Sequence, residues 1–461
     1  METQRTENQE ELDELRASIE DAPPNELAAR AGQARPQEIV DIWEDLSRER
    51  QGEILSVLAP EKAAEILSNL PEDAQPQALD ALSAEGVRKL LEALDPDDLA
   101  DTLQALEEHR PERAETLKAL LAPETRATAE ALTRYEEDEA GGIMTPEFIS
   151  VRATMTVSQV ISFLRRAAPN AETVYYLYVL ETDGRLIGVL SLRDLIVAPE
   201  YQRVREIMSP DVIHVTTDTD QEEVARLMAD YDFSVLPVVD PGGDLVGIVT
   251  VDDVIDVIED EATEDIHRLG AAPVDVDYAR ASPWKMFLKR VPWLGLLLVS
   301  MSLTFNVISH YESLIEQVTI LAAFIPLLIG TGGNVGSQIA TLVVRSLATR
   351  ELEIKDFPRV LGKEVVTGLC LGSSLAVFMF FYVMIFQADL QIAIALAITM
   401  VLIAVCANLV GAMLPMLFRR LGIDPALTSS PGITTVMDVV GLLIYFQVVI
   451  LVLGTVLEVV N

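Results

Sequence analysis

One aspartate stands inside the last long apolar run of this sequence. The run extends from Ile433 to Val460, reads ITTVMDVVGLLIYFQVVILVLGTVLEVV, and carries Asp438 near its start. About 20 apolar residues suffice to cross a bilayer, so the run predicts a membrane-spanning helix. An ionisable group in or at the edge of hydrocarbon costs about 2.5 kcal/mol or more, and by default it marks an ion pathway or a buried pair.

A plainer interpretation of Asp438 stays open at this point. Thr435 and Asp438 have the spacing of a helix-capping pair, and residues 439–457 alone are long enough to span. Against that interpretation, a Pro-broken polar stretch that continues no helix leads towards Asp438, and its oxygen ligands suit a hard cation. The candidate ion-path residues of this stretch are Asp424, Ser430 and Thr434.

A second polar stretch interrupts another apolar run. The sequence GTGGNVGSQIATLVV begins at Gly330 and contains Asn334 and Gln338. Gly332 and Gly336 are four residues apart, which is typical of a close contact between membrane helices. Asn334 is a candidate pore-lining residue, and a close helix contact is an equally good explanation of the glycines.

Residues 143–200 and 207–258 form an internal repeat, in which each copy is predicted to be strand, helix, strand, turn, strand, helix. Both copies end in Gly, two apolar residues, Ser or Thr, two further residues and Asp. The repeat resembles a pair of CBS domains. That resemblance implies a site for an adenine nucleotide such as ATP, held by Ser191, Asp194, Thr250 and Asp253, although each Ser or Thr is equally well placed to cap a helix.

Acidic residues crowd the next segment, Asp252–Leu269, which is predicted to be one helix. Like charges at helical spacing oppose folding unless a cation neutralises them. Oxygen-only clusters suit Mg²⁺ or Ca²⁺ better than soft metals, and no dedicated calcium loop is present.

The first part of the chain is predicted to be helical. From Pro36 to about Leu106, short apolar runs recur at a spacing near 12 residues, and most follow a proline with acidic residues. Proline and acids favour the first turn of a helix, so the pattern predicts a small helical superhelix. Residues 1–20 are polar, and we expect a mobile tail there. For any single acid in this region a solvated surface is the likelier explanation.

Charge is divided unevenly along the 461 residues. The net charge is −38, yet residues 281–461 hold ten basic and ten acidic residues, so the first 280 residues carry all of it. Such acidity argues against nucleic acid or anionic lipid as a partner of the acidic part; solubility or salt adaptation is the alternative explanation. Cys370 and Cys406 are expected to be lone thiols, and the N-terminus lacks the apolar region of a signal peptide.

Five apolar segments are predicted to span the membrane. All ten basic residues of the C-terminal part fall on one side of them, which the positive-inside rule assigns to the cytoplasm. The acidic domains are then cytoplasmic and the C-terminus lies outside. The expected spans are 291–309, 318–344, 364–386, 390–418 and 435–459.

The membrane part resembles the MgtE family of Mg²⁺ channels and transporters. The resemblance rests on GGNVGSQ from Gly332, DPALTSSP from Asp424 and TTVMDVVGLLIYF from Thr434, and the order of parts agrees with it. It implies a multidomain homodimer in a bacterial inner membrane: an all-α superhelical N-domain, an α/β CBS pair and an α-helical transmembrane domain. The expected boundaries are a tail 1–20, the N-domain 21–138, the CBS pair 139–258, a connecting helix and linker 259–284, and the pore domain 285–461.

The resemblance also implies a mechanism. Mg²⁺ would pass inward at the two-fold axis between two copies of Asp438, and high cytosolic Mg²⁺ would bridge carboxylates of the soluble domains and hold the pore shut. Ligand preference between states is what makes such a switch work. The implied metal ligands besides Asp438 are Glu65, Asp97, Asp101, Glu222, Asp232, Asp253, Asp256, Glu261, Glu264, Asp265 and Asp424.

Three alternatives are kept. The CBS pair could regulate, through adenine nucleotide, a carrier of another solute, or the membrane part could carry other divalent cations such as Co²⁺, Mn²⁺ or Ni²⁺. The chain could also be a membrane-anchored scaffold, which the polar residues of the spans argue against. No phosphate-binding GxxxxGK[ST] motif is present, so we expect no ATP hydrolysis and no enzyme activity.

Overall fold

The structure is a computed structural model that describes residues 2–71, 74–167, 171–270, 272, 281–387, 389–425 and 430–460. It divides into two compact units, Met1–Ile258 and Glu259–Asn461. The division falls inside one continuous helix, Val251–Leu269, so the expected boundary between CBS pair and connecting helix is not a break in secondary structure.

Short helices build the first part of unit one, as the repeated Pro-acid pattern predicted. Most of them have proline in the first turn, where its missing N–H costs nothing. Their apolar sides form one core that includes Leu27, Ile54 and Leu91. The helices are α1 Glu2–Glu20, α2 Pro24–Gln33, α3 Pro36–Asp41, α4 Arg48–Val57, α5 Pro60–Ser68, α6 Gln75–Asp80, α7 Ala84–Leu91, α8 Pro96–His109, α9 Pro111–Lys118 and α10 Pro123–Leu132.

The N-terminal segment differs from the mobile tail that we expected. Residues Glu2–Glu20 form α1, and Ile19 at its end is fully buried. Leu12 and Leu15 pack against the same core as Ile19, at the 3- and 4-residue spacing of a helix face. Three apolar residues among many polar ones were enough to dock the segment. The prediction of a mobile tail rested on overall polar composition, which does not reveal their spacing.

The internal repeat folds as two three-stranded sheets. In each, the first strand pairs parallel with the second, and the second pairs antiparallel with the third. Gly184 and Gly243 adopt positive φ of 104° and 86° in the two hairpin turns, which confirms the turn signals. The strands are β1 Ser150–Arg152, β2 Tyr176–Leu180, β3 Leu186–Ser191, β4 Val215–Thr216, β5 Val235–Val239 and β6 Leu245–Thr250.

Helices flank these sheets in the predicted order. The second copy and the preceding helical part share a core, since Ala100 of α8 belongs to the same buried cluster as Leu236, Val254 and Val257. This cluster fixes α8 close to the start of the acidic helix. The helices are α11 Val157–Ala167, α12 Leu192–Val197, α13 Val204–Ile207, α14 Gln221–Tyr231 and the acidic helix α15 Val251–Leu269.

Unit two contains five helices that are long and apolar enough to span a membrane, which confirms the predicted number among the described residues. Each is longer than expected at one or both ends. The third is preceded without a break by a short 3-10 helix, Ile354–Asp356. The spanning helices are α16 Pro283–His310, α18 Ile320–Ala348, α19 Phe357–Phe386, α20 Leu390–Arg420 and α21 Ser430–Val460, with the short α17 Glu312–Gln317 between the first two.

Glycines set the spacing of the four later spans. A Cβ on Gly411 of α20 would lie 2.2 Å from Ile339 Cγ2 and 2.4 Å from the carbonyl oxygen of Gly336, both on α18. Gly332 approaches Ile403 in the same way and Gly336 approaches Ala407, so contacts advance together along both helices and α18 and α20 are parallel. A Cβ on Gly368 of α19 would lie 2.8 Å from Val405 Cα of α20. Backbones come this close only where side chains are absent.

Candidate functional site

Asp438 lies inside α21, eight residues after the helix begins, and is 6% exposed. Thr435 Oγ1 donates to the carbonyl of Pro431 at 2.9 Å, so Thr435 is already an interior residue of the helix. The capping interpretation of Thr435 and Asp438 is therefore wrong. Pro431 falls in the first turn, where a helix tolerates it, so this proline does not break the helix as we had expected. Residues 426–429 of the polar stretch lie outside the described residues.

The carboxylate of Asp438 makes no hydrogen bond to any other residue that the structure describes. Its side chain is buried within an apolar span, where an unpaired carboxylate is costly. An aspartate at this position lowers the stability of the fold, so stability does not explain its presence. A buried carboxylate without a partner is expected of a residue that contacts a cation.

Hydroxyl groups line the approach to Asp438 along α21. Ser430 Oγ donates to Ser337 Oγ of α18 at 2.9 Å, and Thr434 Oγ1 donates to the carbonyl of Ser430 at 3.0 Å. A Cβ on Gly333 would lie 2.8 Å from Thr434 Cγ2. The predicted ion-path residues Ser430 and Thr434 thus sit where α18 and α21 touch.

The polar stretch of α18 has two distinct faces. Gly332, Gly333 and Gly336 are buried against α20 and α21, so these glycines do form a close helix contact. Asn334 and Gln338, four residues apart, are exposed in the single chain. Amides that face hydrocarbon are unfavourable, so this face requires water or another protein surface in a membrane.

Arg268, in the last turn of α15, gathers carboxylates of unit two. Its guanidinium donates to the carboxylates of Glu264 and Asp424. Partial burial, and after it the charges of Asp424 and Glu261, raise the pKa of the neighbouring Asp265. Two predicted metal ligands, Glu264 and Asp424, therefore bind one arginine, and two more, Asp265 and Glu261, lie near Asp424 or near each other. Sequence reasoning missed Arg268, although the only Lys or Arg in so acidic a helix was a usable signal.

A second acidic group forms in unit one. Partial burial and the carboxylate of Asp253 raise the pKa of Asp97 to about 8. Burial and Asp95 raise the pKa of Asp98 to about 6 and that of Glu172 to about 7. We call this group the acidic cluster; its members are Asp95, Asp97, Asp98, Glu147, Glu172, Asp252 and Asp253.

One atom of the acidic cluster is unsatisfied. Asp97 Oδ1 is buried and has no hydrogen-bond partner among the described residues. A buried carboxylate oxygen without a donor favours either protonation or a bound cation. The cluster brings the predicted ligands Asp97 and Asp253 together, and it adds Asp98 and Glu172, which the sequence did not single out.

The remaining predicted metal ligands are exposed side chains of unit one: Glu65, Asp101, Glu222, Asp232 and Asp256. Within the described residues no group of three or more His, Cys, Asp or Glu is arranged to hold a metal ion. Their roles as ligands stay predictions.

The two CBS motifs occupy different surroundings. Ser191 Oγ donates to Asp194 Oδ2 at 2.6 Å and caps α12, and Thr250 Oγ1 donates to Asp253 Oδ2 at 2.5 Å. Ser191 and Asp194 line an open cavity of about 790 Å³ together with the exposed Tyr175. Asp253 instead belongs to the acidic cluster, whose negative charge would repel a phosphate.

A further carboxylate was missed by sequence reasoning. Glu364 of α19 is 4% exposed, and its Oε2 is buried without a hydrogen-bond partner among the described residues. The rule that selected Asp438, an acid within an apolar span, would also have selected Glu364.

Comparisons with known proteins cover nearly the whole chain. The family MgtE, divalent cation transporter, matches residues 325–448, the MgtE intracellular N domain matches 34–138, and the CBS domain matches 140–201 and 204–260. The magnesium transporter MgtE of Thermus thermophilus is 52% identical over 443 residues, which are 96% of this chain and 98% of that protein. The protein of the same name from Enterococcus faecalis is 43% identical over 69% of this chain and 70% of its own length.

A solved structure agrees with the soluble part. A crystal structure of the cytosolic domain of the Mg²⁺ channel MgtE in complex with ATP aligns with a TM-score of 0.52 and 54% identity. The alignment covers 53% of this chain and 99% of that one. These matches confirm the predicted fold class: a helical N-domain, a CBS pair and a helical membrane region.

Proposed function

We propose, since the chain belongs to the MgtE family of divalent cation transporters, that it carries Mg²⁺ across a membrane along a path that includes Asp438. The observation that carries this proposal is the buried Asp438 without a hydrogen-bond partner among the described residues, in a chain 52% identical to a magnesium transporter. The activity is transport, and no catalytic step is proposed.

In this proposal the Mg²⁺ ion keeps part of its hydration shell as it passes Asp438. Mg²⁺ loses water reluctantly and usually binds proteins through one or two carboxylates with several waters retained. Asp438 supplies the charge, and the hydroxyls of Ser430 and Thr434 are oxygens that a hydrated ion can meet. The membrane potential, negative inside, favours inward movement of a divalent cation.

A second copy of the chain completes the path in this proposal. The amide face of α18, with Asn334 and Gln338, is exposed in the single chain and needs a polar cover within the membrane. Two-fold pairing would place the Asn334 faces and the Asp438 helices of two copies around one axis. The bacterial relatives support placement in a bacterial inner membrane, with the ten basic residues and the acidic unit in the cytoplasm and the C-terminus outside.

Cytosolic Mg²⁺ is proposed to close the path by neutralising two groups of carboxylates. One is the acidic cluster, where Asp97 and Asp253 repel each other. The other surrounds Arg268 and includes Asp424, six residues before α21 begins. Mg²⁺ that binds these groups better in the closed state shifts the protein to that state.

ATP is proposed to bind at one of the two CBS motifs. The cavity beside Ser191 and Asp194 is open and offers Tyr175 for stacking on a base, whereas Thr250 and Asp253 face carboxylates. The related cytosolic domain in complex with ATP supports this assignment.

The experiment that tests the transport proposal is Mg²⁺ flux into proteoliposomes that contain the full chain. We expect flux with the unmodified protein, closure when Mg²⁺ is raised on the cytosolic side, and at least a tenfold loss for Asp438→Asn. Asp389→Asn is the matched control, because Asp389 only caps α20 and asparagine also caps. Normal flux through Asp438→Asn, or preferred passage of Co²⁺, Mn²⁺ or Ni²⁺, would contradict the proposal.

A further inference from the structure

An open cavity of about 540 Å³ lies on unit two, and its lining includes neither Asp438 nor the residues that contact Arg268. Its wall comes from the 3-10 helix Ile354–Asp356, from the start of α19, and from the last three turns of α20. The lining residues are Ile354, Lys355, Phe357, Pro358, Val410, Met413, Leu414, Met416, Leu417 and Arg420.

The chemistry of this cavity is apolar with a cationic edge. Val410, Met413, Leu414 and Leu417 follow the 3- and 4-residue spacing of one face of α20. The only charged residues among those that line the cavity are Lys355 and Arg420, and both are basic. A ligand that fits needs a long apolar portion and a negative head.

The position of the cavity restricts the choice of ligand. Arg420 is the last residue of the spanning helix α20, and Lys355 precedes the spanning part of α19, so the cationic edge stands where span meets water. Met413 and Leu417 are 42% and 49% exposed, so the apolar wall opens sideways to the lipid. Basic pockets between spans on the cytoplasmic side are suited to anionic lipid head groups.

We propose that this cavity binds one anionic glycerophospholipid. Its phosphate lies between Lys355 and Arg420, and one acyl chain lies along the apolar face of α20. The acidity that argues against anionic lipid belongs to the first 280 residues, whereas this site is cationic. Lys355 pairs with Glu353 at 2.8 Å, but both side chains are exposed, and such a surface pair contributes little that a phosphate would have to replace.

Native mass spectrometry of the full chain, released from micelles that contain phosphatidylglycerol or phosphatidylcholine, tests this site. We expect one phosphatidylglycerol retained per chain, retention at least fivefold weaker for the double variant Lys355→Gln/Arg420→Gln, and little retention of phosphatidylcholine. Arg345→Gln/Arg359→Gln is the matched control: it removes the same charge from exposed residues near the same ends of the spans, outside the cavity. That control should retain phosphatidylglycerol.

Several results would overturn the proposal. Equal loss in both double variants would mean general attraction of lipid to a basic surface, and equal retention of phosphatidylcholine would mean a merely apolar groove. Displacement of bound phosphatidylglycerol by millimolar inorganic phosphate would show that the site binds free phosphate. Disulfide-linked dimers from Met413→Cys, in a chain with Cys370 and Cys406 replaced by serine, would show that a second copy covers the cavity. Thermal unfolding without added lipid verifies that each variant is folded.

Discussion

Arg268 at the end of the acidic helix α15 donates to the carboxylate of Asp424, 156 residues further along the chain. The same guanidinium holds Glu264, and α21 with Asp438 begins six residues after Asp424. One arginine therefore connects the acidic helix to the segment that leads into the proposed ion path. A divalent cation bound at Glu264 and Asp424 would make the same connection.

Replacement of Arg268 should make closure more dependent on Mg²⁺. Arg268→Gln leaves the carboxylates of Glu264, Asp265 and Asp424 without their positive neighbour, so their repulsion opposes the connected arrangement. The pair is only partly buried, so about 1 kcal/mol is a fair estimate of the loss, which is roughly fivefold in an equilibrium. We expect the cytosolic Mg²⁺ concentration for half-closure, measured by flux, to rise about fivefold.

Arg268→Lys is the control for this experiment, because lysine keeps the charge but not the two-pronged geometry. It should fall between the unmodified protein and Arg268→Gln. A half-closure concentration that falls in Arg268→Gln would mean that the arginine competes with Mg²⁺ instead of assisting closure.

Protons should leave the acidic cluster when Mg²⁺ binds. Asp97, with a pKa of about 8, is mostly protonated at pH 7, and Glu172, with a pKa of about 7, is about half protonated. Mg²⁺ requires the ionised forms, so calorimetry in buffers of different ionisation enthalpy should show release of about one proton at pH 7 and almost none at pH 9.5. Asp97→Asn should remove most of the release, while Glu124→Gln, an exposed acid of α10, should not change it.

The pH dependence of the folded cluster has a definite sign. These carboxylates have a higher pKa folded than unfolded, so the folded form binds more protons between about pH 4 and pH 8. Without Mg²⁺, the stability of the contact between α8 and α15 should therefore be greatest below that window, where both states are protonated, and should fall as pH rises through it. Hydrogen exchange of α8, corrected for the intrinsic rate at each pH, measures this, and stability that rises with pH would contradict the assignment.

Alanine should separate the packing glycines from the others. Gly411→Ala would bring a Cβ to 2.4 Å from a backbone oxygen of α18, and side-chain rotation does not relieve that contact. Overpacking of this kind costs about 1–3 kcal/mol, so we expect the apparent Tm in detergent to fall by roughly 3–10 °C. Gly330→Ala is the control, since a Cβ there has nothing within 4 Å and helix propensity improves. Equal effects at the two positions would refute the close helix contact.

The two CBS motifs should respond differently to ATP. Asp194→Asn removes the carboxylate that, by the resemblance to CBS domains, accepts hydrogen bonds from the ribose hydroxyls, so it should weaken ATP binding to the full chain about tenfold, as measured by equilibrium dialysis. Asp253→Asn should leave ATP affinity within twofold and instead shift the Mg²⁺ response, because Asp253 faces Asp97. Loss of ATP binding in Asp253→Asn alone would place the nucleotide at the second motif.

The helices, strands and membrane spans could be predicted because each is specified by residues that are close together in the sequence. The spacing of apolar runs and prolines predicted the helices, the duplicated Gly-to-Asp motif predicted both sheets, and the length of the apolar runs predicted the membrane spans. Docking of α1 through Ile19 and the ends of the spans were missed, since they depend on which partner surface is present. The same holds for the site. Asp438 could be predicted because it is an acidic residue within an apolar run. The proximity of Asp97 to Asp253 and of Arg268 to Asp424 could not be predicted, because each pair is more than 150 positions apart in the sequence.

The first and last spans pack against each other through Tyr311, whose ring stacks on Phe446 with centroids 4.5 Å apart and whose hydroxyl accepts a hydrogen bond from Gln447. No residue of helix α16 is buried against the rest of the described chain. At usual rates of translation, roughly ten seconds or more separate the synthesis of Tyr311 from that of Phe446. Until α21 is made, Tyr311 at the end of α16 therefore lacks both the ring and the amide that it contacts in the folded chain, and a chain interrupted before α21 leaves α16 without this partner.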